Sequence, residues 1–216
     1  MAPQDLSDKA KIFYSDGYKI GMEVVEQGIT KENIIQAVKK IYQNIDLLIE
    51  TLLKLAQKEN TIIYCRKGCS WCCHQPVYAL THEVLLLQDH FTNNFSEKER
   101  EDLNKLAHEK DKKLSPLKNE ALLNSKHPCP LLKDGACIAY EVRPMACRIY
   151  LSLNLNSCEN YFTNPEDKTN YPQVMHFPLQ AGRMMNEGFK AALKQAGWKS
   201  QEFRIEEGLL KTIVLS

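Results

Sequence analysis

No apolar run in this 216-residue chain approaches the ~20 residues of a membrane span; the longest candidates, such as 84–87 and 213–215, are core-sized fragments. The opening residues, Met-Ala-Pro-Gln-Asp-Leu-Ser-Asp-Lys, lack the basic, then apolar, then small-residue order of a secretory signal. The chain therefore reads as soluble and cytosolic. An excess of one charge is missing as well. The 28 Lys and Arg against 27 Asp and Glu leave a formal +1, which gives no bulk drive toward nucleic acid or an anionic membrane. There is no Gly-rich loop to cradle a phosphate, and Ser, His and Asp show no elbow or triad spacing. Repeats and low-complexity tracts are absent too.

What the chain does carry is periodicity and cysteine. Ile34, Val38, Ile41, Ile45, Leu48, Leu52 and Leu55 recur at spacings 4-3-4-3-4-3, one face of a long helix that Thr30 caps after Gly28. Ile35, Tyr42 and Ile49 widen that face, which suits burial in a bundle better than the narrow seam of a coiled-coil dimer. Residues 61–64 and 77–80 are short strand-like runs. Thr81 is expected to cap a helix to about Phe91, with Glu83 in its first turn and His82-Glu83 supporting the cap. Ser96-Glu97-Lys98-Glu99 is a capping box that opens a charged, mostly solvated helix reaching Ser115-Pro116. Residues 128–158 are loop-rich, with a turn at Lys133-Asp134-Gly135. A last helix is expected over about 178–197, with Met184, Met185, Phe189, Ala192 and Leu193 on one side, and Ile213, Val214 and Leu215 dock as a final strand or turn. The expected fold is mainly α, a helical bundle with two cysteine-rich metal-binding loop regions and at most short strands. At ~150 residues per domain it is expected to form one compact unit overall, with a helical extension, 1–60, packed on a cysteine-cluster metal-binding domain, 61–216.

All eight cysteines fall in two blocks, Cys65, Cys69, Cys72 and Cys73, then Cys129, Cys137, Cys147 and Cys158. Structural cysteines would scatter over apolar helix faces as small hydrophobes, so confinement to polar loops argues for chemistry. Eight in 216 is about 4%, below the roughly 8–10% of a secreted disulfide scaffold. Thiolates two and three residues apart converge on one soft metal or cluster when a tight turn aims them at a common point. Arg66, Lys67, Arg143 and Arg148 stand beside these cysteines and would offset thiolate charge and donate hydrogen bonds to sulfur. His74 and His127 are nearby imidazoles, read more simply as loop histidines than as ligands.

Cys69-Ser70-Trp71-Cys72-Cys73, Cys129-Pro130-Leu131-Leu132 and the run from Gly135 through Cys137, Tyr140, Arg143, Pro144, Cys147 and Arg148 to Tyr150 resemble the bacterial cysteine-cluster family called YkgJ-like or CxxCxxCC. The ordered combination of a Cys-to-Tyr segment, Arg-Pro and Cys-Arg is its specific part. The resemblance implies chelation of zinc or iron and names no reaction. Two features depart from the family pattern: Cys65 and Cys69 are separated by three residues rather than two, and Cys137-Ile138-Ala139-Tyr140 stands where the family shows Cys-x-Ile-Tyr, with the isoleucine one position earlier. The longer spacing sets Cys65 apart from the family motif, and Cys158 has no counterpart in it.

Zinc and an iron–sulfur cluster both remain open as cofactor, and the adjacent Cys72-Cys73 more easily serves two centres or one polynuclear cluster than one tetrahedral ion. Cys65-x3-Cys69-x2-Cys72 also matches the local cluster signature of radical S-adenosylmethionine enzymes, which resemble partial βα barrels. This chain lacks their alternating periods. Flagellin lysine methylases carry a related cysteine region, so an S-adenosylmethionine-dependent protein methylase stands as the alternative. A third reading is an adaptor stiffened by metal, with the helix at 30–59 docking a protein partner.

Overall fold

A computed structural model describes residues 3–213. Two helices, α1 (Pro3–Gln27) and α2 (Lys31–Lys58), fill the chain ahead of the first cysteine. Gly28, at φ +97°, makes the turn between them, and Thr30 Oγ1 accepts a hydrogen bond from Asn33 N at 3.1 Å to cap α2. Ile34, Val38, Ile41 and Ile45 are buried as the periodicity requires, together with Ile35, Tyr42 and Ile49. Farther along, Leu48 and Leu52 are half-buried and Leu55 is 47% exposed. A 3.5-residue repeat drifts ~20° per heptad on a straight helix, so the seam rotates out of the core and Ile49 and Ala56 replace it.

Residues 61–64 are not a strand; they run as a loop held by Tyr64 N donating to Ser152 O at 3.0 Å. β1 (Tyr78–Leu80) pairs antiparallel with β4 (Glu202–Arg204), Ala79 opposite Phe203. α3 (Thr81–Asn94) follows, but Thr81 does not cap it. Its hydroxyl is taken by Gln201, donating to the carbonyl at 3.1 Å and accepting from N at 2.8 Å, and Glu83 covers the helix start by accepting from Leu80 N at 2.8 Å. Ser96 and Glu99 form the expected capping box of α4 (Glu97–Leu114), and α5 (Asn119–Asn124) resumes beyond Pro116. α4 is less solvated than its composition implies, because Leu103, Ala107, Lys110 and Leu114 form a buried row against α9 (Ile205–Leu210).

The turn at Asp134-Gly135, with φ of 50° and 75°, joins β2 (Leu132–Lys133) to β3 (Ala136–Cys137) as a tight hairpin. The segment to Cys158 is not all loop, since Cys147 sits on α6 (Met145–Arg148) and Cys158 on α7 (Leu155–Thr163). α8 (His176–Gln195) ends before Gly197 at φ +91°. Val214 and Leu215 lie outside the described residues; Ile213 is half-buried against both core clusters. The architecture is mainly α. Among the described residues the strands form two two-stranded antiparallel sheets, so a partial βα barrel is not this fold. No helix among them is long and apolar enough to cross a membrane.

One core cluster joins α1, α2 and α8 around Ile34, Ile41, Met185 and Phe189; the other joins α3, α4 and α9 around Val84, Leu103, Phe203 and Ile205. α1 and α8 approach backbone to backbone. A Cβ on Gly188 would lie 2.0 Å from the Tyr14 carbonyl oxygen, and one on Gly17 would lie 2.0 Å from that of Met185. Gly188→Ala gains up to ~1 kcal/mol of helix propensity but must push the two helices apart, an overpacking cost of ~3 kcal/mol. The expected net loss is therefore ~2 kcal/mol or more in urea unfolding. Wild-type stability in that variant would show that α1 does not pack on α8 in this way.

Candidate metal centre

The first cysteine block is shaped by turns. Gly68, at φ +92°, reverses the chain, Cys69 N donates to Arg66 O at 3.0 Å, and Trp71–His74 form one 3-10 turn. The second block reaches it through Cys129 N, which donates to Cys73 O at 2.7 Å. Cys137 is delivered by the hairpin, Cys147 by α6. Seven of the eight cysteines, all but Cys158, line one cavity of about 630 Å³. Cys158 joins by hydrogen bonds: its thiol donates to Ser152 Oγ at 3.1 Å, while Ser152 N donates to Cys65 Sγ at 3.0 Å and Cys65 donates to Tyr150 O at 3.1 Å. All eight are free thiols. They face a shared space without closing on it: among the described residues no three His, Cys, Asp or Glu side chains stand together in a geometry ready for a metal ion.

Burial favours the neutral form of most of these thiols. Desolvation lifts Cys129 to about 12 and carries Cys147 well above the usual thiol range, and it also raises Cys65, Cys137 and Cys158. Cys72 is raised first by its hydrogen bond to Cys73 and then by burial; the same bond lowers Cys73, with Lys110 adding to that effect. Cys73 is thus the thiol most ready to ionise first.

The basic residues divide. Arg143 donates to Tyr140 O at 2.6 Å, lies 3.9 Å over the Tyr140 ring, and its charge reaches Cys65, Cys137 and Cys147. Lys67 sits 5.7 Å from the same ring and its charge reaches Cys137; Arg66 lines the cavity. Arg148 takes a different role from the sulfur donor its position suggests. It is 2% exposed, and its hydrogen bonds go to the Asp46 carboxylate and, at 2.6 Å, to Glu141 O, with its plane 4.3 Å from the Tyr42 ring. His74 Nδ1 is held by Ser70 O at 3.1 Å and its ring packs on Phe162 at 4.8 Å. Burial lowers His127, with Lys113 and Lys110 beside it.

Two groups were missed by sequence reasoning. Lys110 is 5% exposed, pairs with the fully buried Glu206 at 3.6 Å, and its charge reaches Cys73 and Cys129. Its signal was a lysine on the apolar row of Leu103, Ala107 and Leu114. Glu83 is more than a first-turn acid. Burial raises its carboxyl, yet it accepts from Tyr42 Oη at 2.9 Å and from Met145 N at 2.7 Å, so it fixes the start of the helix that carries Cys147.

A donor set of seven lining cysteines with cations at its margin fits soft metals, zinc and iron–sulfur clusters. In line with that chemistry, the model of the CxxCxxCC family, described as a putative zinc- or iron-chelating domain, matches residues 64–180, a span that includes all eight cysteines. Neither a curated protein nor a solved structure matches the chain.

Proposed function

The chain belongs to the CxxCxxCC family of metal-chelating domains, and we propose that it holds zinc or an iron–sulfur cluster through thiolates drawn from both cysteine blocks. The observation that carries the reading is the convergence of seven cysteines, from positions 65 to 147, on one cavity wall, with the eighth hydrogen-bonded to its edge. A bound zinc ion would cross-link the two blocks, and a cluster would add a one-electron couple. The protein's own part is electrostatic and positional. Lys110 and Arg143 offset thiolate charge at the buried end, Ser152 orients Cys65 and Cys158, and Glu83 sets the helix start that aims Cys147.

The test is total iron, zinc and acid-labile sulfide per chain, with a visible spectrum, on protein purified without oxygen or added metal. Brown protein with iron and sulfide in matching amounts assigns a cluster; colourless protein with stoichiometric zinc assigns zinc. Protein that carries neither, and takes up neither on reconstitution, overturns the reading.

A further inference from the structure

One edge of β1 is left open by the fold. The ladder with β4 runs through Ala79 opposite Phe203 and continues in Thr81 N donating to Gln201 O at 2.8 Å and Ile205 N donating to Val77 O at 2.9 Å. In an antiparallel pair the main-chain groups of alternate residues face the partner, so those of Val77, Ala79 and Thr81 meet β4 and those of Tyr78 and Leu80 point the other way. Leu80 is already used there: its N–H donates to Glu83 Oε2 at 2.8 Å, and its carbonyl opens α3. Glu83 Oε1 in turn accepts from Met145 N at 2.7 Å, and Tyr78, Leu80, Glu83 and Met145 all line the cavity. The outer edge of β1 therefore faces the cavity, and among the described residues the Tyr78 N–H and C=O have no partner on it.

The other walls supply charge. Along α8, Leu179, Arg183, Asn186, Glu187 and Lys190 recur at helical spacing and line the cavity. Lys190 is paired with Glu187 at 2.6 Å, but Arg183 is exposed and, like Arg66, its side chain has no hydrogen-bond or ion-pair partner among the described residues. Glu202 is the one lining carboxylate with neither, so the unpaired charge favours an anion. At about 630 Å³ the cavity is within the roughly 300–1,000 Å³ of small-ligand pockets, a space better suited to a chain end of a few residues than to a segment running through.

We infer that this cavity docks the carboxyl end of an extended peptide, one residue of which adds to the open edge of β1 while the terminal carboxylate meets the unpaired guanidinium of Arg183. In that pairing Tyr78 N donates to the peptide carbonyl, and the N–H of the same peptide residue donates to Tyr78 O. Main chain recognises main chain, so affinity depends little on sequence, and the carboxylate selects the end. The site uses no cysteine and stands apart from the choice of metal.

The experiment uses the full chain as purified and short mixed-sequence peptides labelled with fluorescein at the amino end, made with either a free carboxylate or a carboxamide at the other. Fluorescence anisotropy reads binding. The carboxylate pool is expected to bind about tenfold more tightly than the carboxamide pool, and Arg183→Gln to abolish that preference. Tyr78→Pro removes the N–H without touching the ladder to β4, and Tyr78→Ala removes the same side chain while keeping the N–H. The proline variant should bind about tenfold more weakly than the alanine one. Where Tyr78→Pro loses helix content by circular dichroism, N-methylation of each peptide amide in turn takes its place, and one position should cost the same factor. No saturation by either pool below roughly 1 mM, equal binding of carboxylate and carboxamide, or equal binding by the proline and alanine variants overturns the inference. So does tolerance of N-methylation at every position. A preference for internal acidic residues whatever the end would mean that the cavity takes an acidic segment and not a carboxyl terminus, which overturns it as well.

Discussion

Stripping the metal from the native protein should lower its stability by about 4 kcal/mol, the linkage expected of a ligand held at ~1,000 times its dissociation constant. Small zinc peptides depend on metal for all of their ~10–16 kcal/mol; here the packing of Ile34, Ile41, Leu86 and Phe189 needs no thiolate contact of its own, so the loss is expected to fall on the cysteine loops. For a chain of this size that is a fall of roughly 8–16 °C in Tm. The pH dependence should reverse between the two forms. In the metal-free protein, Cys129 sits at about 12 against an ordinary 9, so between those values the unfolded chain gives up a proton that the folded one keeps. Metal-free stability therefore falls as pH rises through that window. Metal binding needs thiolates, so each protonated thiol released makes affinity rise about tenfold per pH unit, and three such thiols give ~1,000-fold. Chelator competition at pH 6.5 and 7.5, beside urea unfolding of the stripped protein at pH 8 and 10, measures both signs. A stripped protein as stable as the native one would mean that the metal does not hold these loops.

The parts of this arrangement that could be read ahead of the structure are local ones. Thr30 caps α2, Ser96 boxes α4 and Asp134-Gly135 turns the hairpin because each signal lies within four residues of its effect. The spacing of the cysteines likewise led to the family. What escaped depends on contacts between distant segments. Gly17 and Gly188 read as missing side chains until their helices meet, and the strand-like run at 77–80 carries no sign that its partner, β4, lies more than 120 positions later. Thr81 is a plausible cap in isolation, but Gln201 claims its hydroxyl. Arg148 follows Cys147 in sequence, yet on a four-residue helix neighbouring side chains diverge, so the thiol turns to the cavity while the guanidinium turns to α2. Lys110 looked like one charge among many on α4, and only its place on the buried row, opposite Glu206, sets it apart.

Losing either half of the Asp46–Arg148 pair should be among the most damaging single changes outside the cysteines, and the two halves should not cost the same. Arg148 is buried while the Asp46 side chain is 43% exposed, so Asp46→Ala strands a guanidinium that water cannot reach, whereas Arg148→Met leaves a carboxylate that water can. Breaking a buried pair costs ~3–5 kcal/mol when the remaining charge stays uncompensated. Asp46→Ala is expected within that range, and Arg148→Met nearer ~2–3 kcal/mol, because it leaves Glu141 O without its donor and Tyr42 without the cation on its face. Arg148→Lys should recover little, since one ammonium cannot serve Asp46 and Glu141 O with the geometry of the planar fork. The double variant should cost less than the sum, as the uncompensated charge is then gone. Urea unfolding of the four proteins measures these differences. The metal content of each reads the second consequence: Tyr42 also donates to Glu83, and Glu83 holds Met145 N at the start of the helix bearing Cys147. Loosening that chain of contacts should weaken metal retention in Asp46→Ala at a concentration of chelator the wild type withstands. Equal stability and equal retention in the lysine variant would mean that Arg148 acts as a charge alone and that the helix carrying Cys147 is positioned by Glu83 without it.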